Sequence, residues 1–509
     1  MDGMRTRRED SRDSGEALAR NTVLNVVGQA LPLLATVVAI PPALRALGAD
    51  RFALLSLAWV VLGYFGALDL GLGRATTKFV AEYEDRAPKE DLGFLVWTSL
   101  IGHLLLGSVV GCLIALAARP TALHLLNIPT HLSAEAAGVF AALAAAPPAV
   151  LAVTCMTGVL EGMRRFALSN AISVTAKTLG LCTAALMAVA GGSVSQIVLV
   201  IVGVWLGAAI ASLTACLVLL PVLRSGLAFR KGLLVRLVGY GKWLAVFSSS
   251  SFLIVYLDRF VIATLMPLSA VVLYTVPFDI TVRLGLLPSA IARAVFPTFS
   301  SLPAEGRSSA LNYYFSRSTK HLLVTVGWTV VILATFPSEI LGAWLGKPIS
   351  EGGANIMRLL SVSMLINSFA YMPSAYLQAS GRPDVPAKIH LAQLPVHAAL
   401  VFALVSMLGP LGAALAWTIF VAINLGLLWF FASRPFGIRG AIDRSVVRAL
   451  LILGLVAGAA ALIKVMPVSA AERMLTLGIV SAVYALGCWL WVLDASERNR
   501  LLQAVRRSA

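Results

Sequence analysis

Apolar runs of eighteen or more residues recur from one end of this 509-residue chain to the other. In a bilayer only helices and closed barrels satisfy every backbone N–H and C=O internally. A barrel strand would alternate apolar and polar residues with period two, and these runs do not. Only 13% of the residues are charged, against about 25% in a soluble domain. No polar block is long enough to hold a soluble domain, and the longest connections are roughly 20 residues. The expectation is an all-α polytopic membrane protein of about fourteen spans. They centre on 22–44, 52–72, 92–118, 135–160, 167–191, 195–222, 242–266, 269–292, 319–345, 354–379, 387–409, 411–433, 446–467 and 473–493.

The formal net charge is +16. A nucleic-acid-binding chain would cluster its cations on one folded face, whereas here they punctuate the gaps between apolar runs. Of the 40 Lys and Arg, about 29 fall in the two tails and the even-numbered gaps, and about 7 in the odd-numbered gaps. That asymmetry places both termini in the cytoplasm. Residues 1–20 lack an apolar signal core and read as a disordered or surface-lying cytoplasmic tail. Four cations are left over, Lys177, Arg259, Arg283 and Arg293.

These four select the candidate site. The stretch Lys242–Pro297 holds Asp258 and Arg259 side by side, then Asp279 and Arg283 four residues apart, then Arg293. Charges at membrane depth face a watery cavity or one another. At 1.5 Å of rise per residue Arg259 lies about 25 Å from Lys242. Lys177 lies about 15 Å into span five, and Arg283 in the inner half of span eight. Arg supplies forked donors and Lys a compact charge, so the set suits a pyrophosphate. The alternative for Asp279 and Arg283 is a local helical ion pair, and for Arg293 a topogenic role. Asn21, Asn25 and Gln29 recur every four residues in span one, and Asn367 and Tyr371 lie in span ten. Such stripes line a sugar cavity or hold helices together. Pro32, Pro277, Pro288 and Pro373 are candidate hinges.

The chain also looks duplicated. Residues 68–86 (LDLGLGRATTKFVAEYEDR) end the first pair of spans, and 287–307 (LPSAIARAVFPTFSSLPAEGR) end the seventh and eighth. Each has a small-residue turn, an Arg (Arg74, Arg293), an amphipathic stretch and a polar loop. The spacing suggests two parallel six-helix bundles, a plan in which substrate binds between lobes. The expected division is a tail 1–20, a lobe 21–223, a cytoplasmic linker 224–241, a lobe 242–435, two added helices 436–495 and a tail 496–509.

The runs RNTVLNVVGQALPLLATVVAIPPALRALGADRFALLSL, LDLGLGRATTKFVAEY, YLDRFVIATLMPLSAVVLYTVPFDI and YLQASGRPDVPAK together resemble the polysaccharide transporter (Wzx-type flippase) branch of the multidrug/oligosaccharidyl-lipid/polysaccharide exporter superfamily. The resemblance covers about residues 20–435. It implies two lobes around a central cavity in the bacterial inner membrane. It also implies translocation of polyprenyl-pyrophosphate-linked oligosaccharide for cell-surface polysaccharide synthesis. A polymerase and a chain-length regulator are further expected partners, with membrane lipid and without nucleic acid.

Catalysis finds little support. The six His form no metal-binding motif, no P-loop or dinucleotide turn occurs, and the acids Glu339, Glu351 and Glu472 are scattered. The five Cys all sit in apolar runs without metal-ligand spacing. No enzyme activity, metal or cofactor is expected. Asp258 and Asp279 are the candidates for coupling to a proton or sodium ion. The alternatives are a drug or metabolite antiporter, which should prefer an acidic, aromatic cavity, and a membrane glycan polymerase or ligase, which needs catalytic carboxylates in an external loop.

Overall fold

The fold answers the demand for internally paired backbone with helices alone; in this computed structural model no strand occurs among the described residues. Those are 2–69, 71–86, 89–120, 126–301, 307–433, 444–467 and 470–499, with side chains excluded for 1–30, 67, 84–89, 119, 242–244, 247, 297, 301–308, 470–471 and 473–474. The helices are α1 (Asp2–Ala67), α2 (Leu72–Arg86), α3 (Lys89–Pro120), α4 (Ser133–Leu143), α5 (Ala146–Gly162), α6 (Phe166–Val189) and α7 (Val194–Leu219). There follow α8 (Lys231–Leu265), α9 (Ala270–Thr281), α10 (Leu286–Ser301), α11 (Arg307–Leu322), α12 (Trp328–Thr335) and α13 (Pro337–Leu345). The last six are α14 (Lys347–Ser368), α15 (Tyr371–Ala379), α16 (Asp384–Leu408), α17 (Pro410–Ser433), α18 (Arg444–Val465) and α19 (Ala470–Gly487).

Thirteen segments among the described residues are long and apolar enough to cross a membrane. The difference from about fourteen lies at one place. Leu31–Gly66 contains both of the first two expected spans, joined through Gly48, whose φ of 74° breaks the helix. The stretch 224–241, expected as a linker, is helical from Lys231 onward, because Leu237 within it is fully buried. Residues 1–20 and 500–509 lie outside the residues whose side chains are described.

The chain divides into two compact units, Met1–Val272 and Leu273–Ala509. In the first, α5 packs against α2, α3 and α7, and its Cys155, Met156, Val159 and Leu160 are fully buried. Small residues let α2 and α5 approach closely. A Cβ on Gly158 would stand 2.9 Å from the carbonyl oxygen of Gly73. The Asp69 carboxylate starts α2 by accepting from the amides of Gly71 (2.8 Å) and Gly73 (3.0 Å). Leu104, Leu105, Val109, Leu113 and Leu116 of α3 are exposed, the apolar face a lipid-embedded helix presents.

In the second unit α14 packs against α12, α13 and α17. A π-helical turn, Leu323–Gly327, joins α11 to α12. Such a turn frees backbone carbonyls. The Tyr484 hydroxyl of α19 donates to that of Val324 at 2.8 Å, and its ring stacks on Trp328 at 5.1 Å.

Candidate functional site

In the first unit the buried charge is on α8. Asp258 is fully buried and Arg259 is 3% exposed. The Arg259 guanidinium lies 4.8 Å from the centre of the Tyr256 ring. That ring is 4.3 Å from Phe252, which is 4.9 Å from Tyr64 of α1. The aromatic row supplies the electron-rich faces that hold a cation inside apolar surroundings. Lys177 is exposed on α6, and among the described residues it makes no ion pair. The side chains of Asn21, Asn25 and Gln29 lie outside the described residues.

In the second unit two spans are interrupted. Span eight passes from α9 through a 3₁₀ turn, Val282–Gly285, into α10. Pro288 explains the turn. Its nitrogen cannot donate to the carbonyl of Leu284, and its ring crowds that carbonyl. Span ten breaks between Ser368 and Tyr371, where Pro373 crowds the carbonyl of Phe369 by the same geometry. α14 contacts the 3₁₀ turn, and α15 packs on α10.

The two interruptions gather candidates that are far apart in sequence. Arg283 is half-buried in the turn, and its Nε donates to the backbone oxygen of Asp279 at 2.9 Å. Tyr371 opens α15 with its hydroxyl against Gly285, where a Cβ would be 2.8 Å away. Arg293 is exposed on α10, the helix against which α15 packs. Asn367 is half-buried one residue before the break in span ten. Broken spans expose backbone dipoles and polar side chains inside a membrane protein, and transporters build ligand sites from them. Arg283, Arg293 and Tyr371 therefore share one neighbourhood, while Arg259 and Lys177 belong to the other unit.

Two clusters carried no warning in the sequence. In the first unit, buried Thr76, Ser99, His103 and Cys155 join α2, α3 and α5. The Thr76 and Ser99 hydroxyls are 2.5 Å apart, and His103 Nδ1 is 2.8 Å from the Ser99 carbonyl. In the second, Lys320 of α11 is 2% exposed and pairs with Glu497 at 2.8 Å and Asp494 at 3.2 Å. Arg317 Nε reaches the same Glu497 at 3.1 Å. Spacing alone could not pair residues so distant in the chain. Lys320 reads as one more topogenic cation beside a gap.

Interrupted spans and buried cations in a multi-pass helical protein define a membrane transporter. A model of the polysaccharide biosynthesis protein family matches residues 18–303, and the chain belongs to that family. It is 26% identical over 419 residues to a putative O-antigen transporter of Shigella flexneri, covering 82% of this chain and 98% of that one. A probable flippase AglR of Haloferax volcanii is 26% identical over 167 residues, 32% of this chain and 34% of its own. Among solved structures, lipid II flippase MurJ in an inward closed conformation matches with a TM-score of 0.68 and 13% identity, over 92% of this chain and 98% of that one. An inward-facing multidrug resistance MATE family transporter of the MOP superfamily matches with a TM-score of 0.66 and 16% identity, over 81% and 98%. At these identities the structural likeness is one of fold.

Proposed function

We propose that this protein is a non-enzymatic flippase that carries polyprenyl-pyrophosphate-linked oligosaccharide units across the bacterial inner membrane for cell-surface polysaccharide synthesis. The observation that carries the reading is the alignment with the putative O-antigen transporter over 98% of that protein's length. The membership of the polysaccharide biosynthesis family supports it.

In this reading Arg259 and Arg283 receive the pyrophosphate through forked contacts, with Lys177 and Arg293 as further cations along its path. Asn367 and Tyr371, with Asn21, Asn25 and Gln29, meet the glycan, and the polyprenyl tail stays in lipid. Asp258 and Asp279 are the acids through which an ion gradient would act. Both termini lie in the cytoplasm, as the Lys and Arg distribution requires. A polymerase and a chain-length regulator act on the product. A drug antiporter of similar fold is disfavoured by the buried and half-buried bases Arg259 and Arg283, each beside or near an acid, because organic cations call for an acidic cavity.

The test is mass spectrometry of lipid-linked intermediates in a deletion strain complemented with variants. Loss of the protein should accumulate complete repeat units on the cytoplasmic face. Arg259→Ala should reproduce that accumulation, and Arg259→Lys should restore only part of the flux. Normal translocation with shortened polymer would point instead to a polymerase and end the proposal.

A further inference from the structure

A cavity lies between α10 and α11, its lining residue Ala294 next to Arg293 in the chain. It is a half-open hollow of about 670 Å³, within the size range of small-molecule sites. One wall is the aliphatic stripe Leu287, Ile291 and Val295 of α10, with Ala294 beside it. The eight steps from Leu287 to Val295 rise about 12 Å. The facing wall is Tyr313, Arg317 and His321 of α11, one turn apart, with Thr325 of the π-helical turn that follows. Among the described residues the charged or chargeable lining groups are Arg317 and His321, and no Asp, Glu, Asn or Gln lines the cavity.

The Arg317 guanidinium is held in place from behind. Its Nε lies 3.1 Å from the Glu497 carboxylate in an ion pair, and one terminal nitrogen donates to the Tyr313 hydroxyl. His321 Nδ1 lies 2.6 Å from the Arg317 carbonyl. The guanidinium keeps further donors, in the planar arrangement suited to phosphate. The cavity thus joins an apolar trough to a fixed cation, which is the profile of an anionic amphiphile. A glycan would call for amide and carboxylate partners that the lining lacks. By the distribution of Lys and Arg, the end of α10 and the start of α11 face the cytoplasm.

We propose that the α10–α11 cavity binds one anionic phospholipid of the cytoplasmic leaflet, its phosphate at Arg317 and His321 and an acyl chain along Leu287, Ile291 and Val295. The occupant is a component of the bilayer, separate from the transported lipid, and the binding does not depend on the flippase assignment.

The test uses the purified full-length chain in detergent, with phosphatidylglycerol and phosphatidylcholine of matched acyl chains as probes, read by native mass spectrometry. The wild type should retain phosphatidylglycerol at least about fivefold over phosphatidylcholine. Ala294→Trp, which fills the trough from α10, and Arg317→Gln should both lower retention to the phosphatidylcholine level. Ala294→Leu, a milder filling, should give an intermediate loss if the tryptophan variant does not fold. Equal retention of the two lipids would overturn the proposal, as would unchanged binding in both Ala294 variants. So would displacement of phosphatidylglycerol by an equimolar polyprenyl phosphate, which would make the cavity a site for the transported lipid.

Discussion

Glu497 shows how much one side chain can hold. It is 3% exposed, beyond the last apolar segment, Leu475–Val492. Burial opposes its ionisation. The Lys320 hydrogen bond, the Asp494 amide and the charges of Lys320 and His321 outweigh burial and hold its carboxyl below the ordinary range. A carboxylate with a depressed folded pKa stabilises fully above the ordinary Glu value of about 4.3, and that stability is lost as pH falls through the depressed value. The melting temperature of the wild type in detergent should therefore drop below about pH 4. Glu497→Gln should remove that part of the pH dependence and lower stability near neutrality by about 1–3 kcal/mol, because it leaves the buried Lys320 with Asp494 as its one remaining carboxylate. A Gln variant with unchanged melting at neutral pH would show the cluster to be incidental. At this scale the sequence is readable only where a charge interrupts an apolar run. Arg259 announces itself in that way. Lys320 does not, because it sits beside a gap that already collects cations, and its partner is 177 residues away.

Between elements, the informative feature is the pair of broken spans. Pro277, Pro288 and Pro373 mark spans eight and ten as candidates for interruption, since each removes a donor and crowds a carbonyl one turn back. Proline position alone cannot say which helices break. Pro277 sits within α9, whereas Pro288 and Pro373 each follow an interruption. Nor can the sequence say that the two breaks meet, which is what brings Tyr371 against Gly285. The helix count was legible for a simple reason, since hydropathy reports length and polarity. The first two expected spans form one segment of the thirteen, with the helix broken between them at Gly48. The Tyr371–Gly285 contact gives a double-mutant test. Gly285→Ala places a methyl 2.8 Å from the Tyr371 hydroxyl oxygen and should slow flipping. Tyr371→Phe removes that oxygen, so Gly285→Ala should do less damage in its background, with a coupling energy of about 1 kcal/mol. Additive effects on the flipping rate would mean that the two breaks do not act together. Elsewhere, Gly158→Ala sets a methyl 2.9 Å from a backbone oxygen of α2, which cannot swing aside as a side chain would. It should destabilise the first unit by about 1–3 kcal/mol, read as a lower melting temperature.

At the scale of the whole molecule the question is what drives net transport, since the chain contains no P-loop with which to spend ATP. The transported head group carries the negative charge of its pyrophosphate. The membrane potential, negative inside, therefore pushes it outward by about 2.3 kcal/mol per charge per 100 mV. That amounts to roughly a 50-fold equilibrium bias for each charge moved. In the proposed reading the cations Arg259 and Arg283 belong to the protein, so they would lower the barrier to the anion's passage without cancelling the charge that crosses. Proteoliposomes with a potassium diffusion potential of about 100 mV, set negative on the side that carries the two termini, should shift labelled polyprenyl-pyrophosphate oligosaccharide to the opposite leaflet. Collapsing the potential should restore an even distribution. Arg259→Gln should slow the approach to equilibrium but leave the final ratio unchanged, because a carrier residue alters the rate and the field sets the endpoint. A distribution indifferent to potential would mean that a counter-ion crosses with each head group. Asp258→Asn and Asp279→Asn would then be the variants to restore voltage dependence.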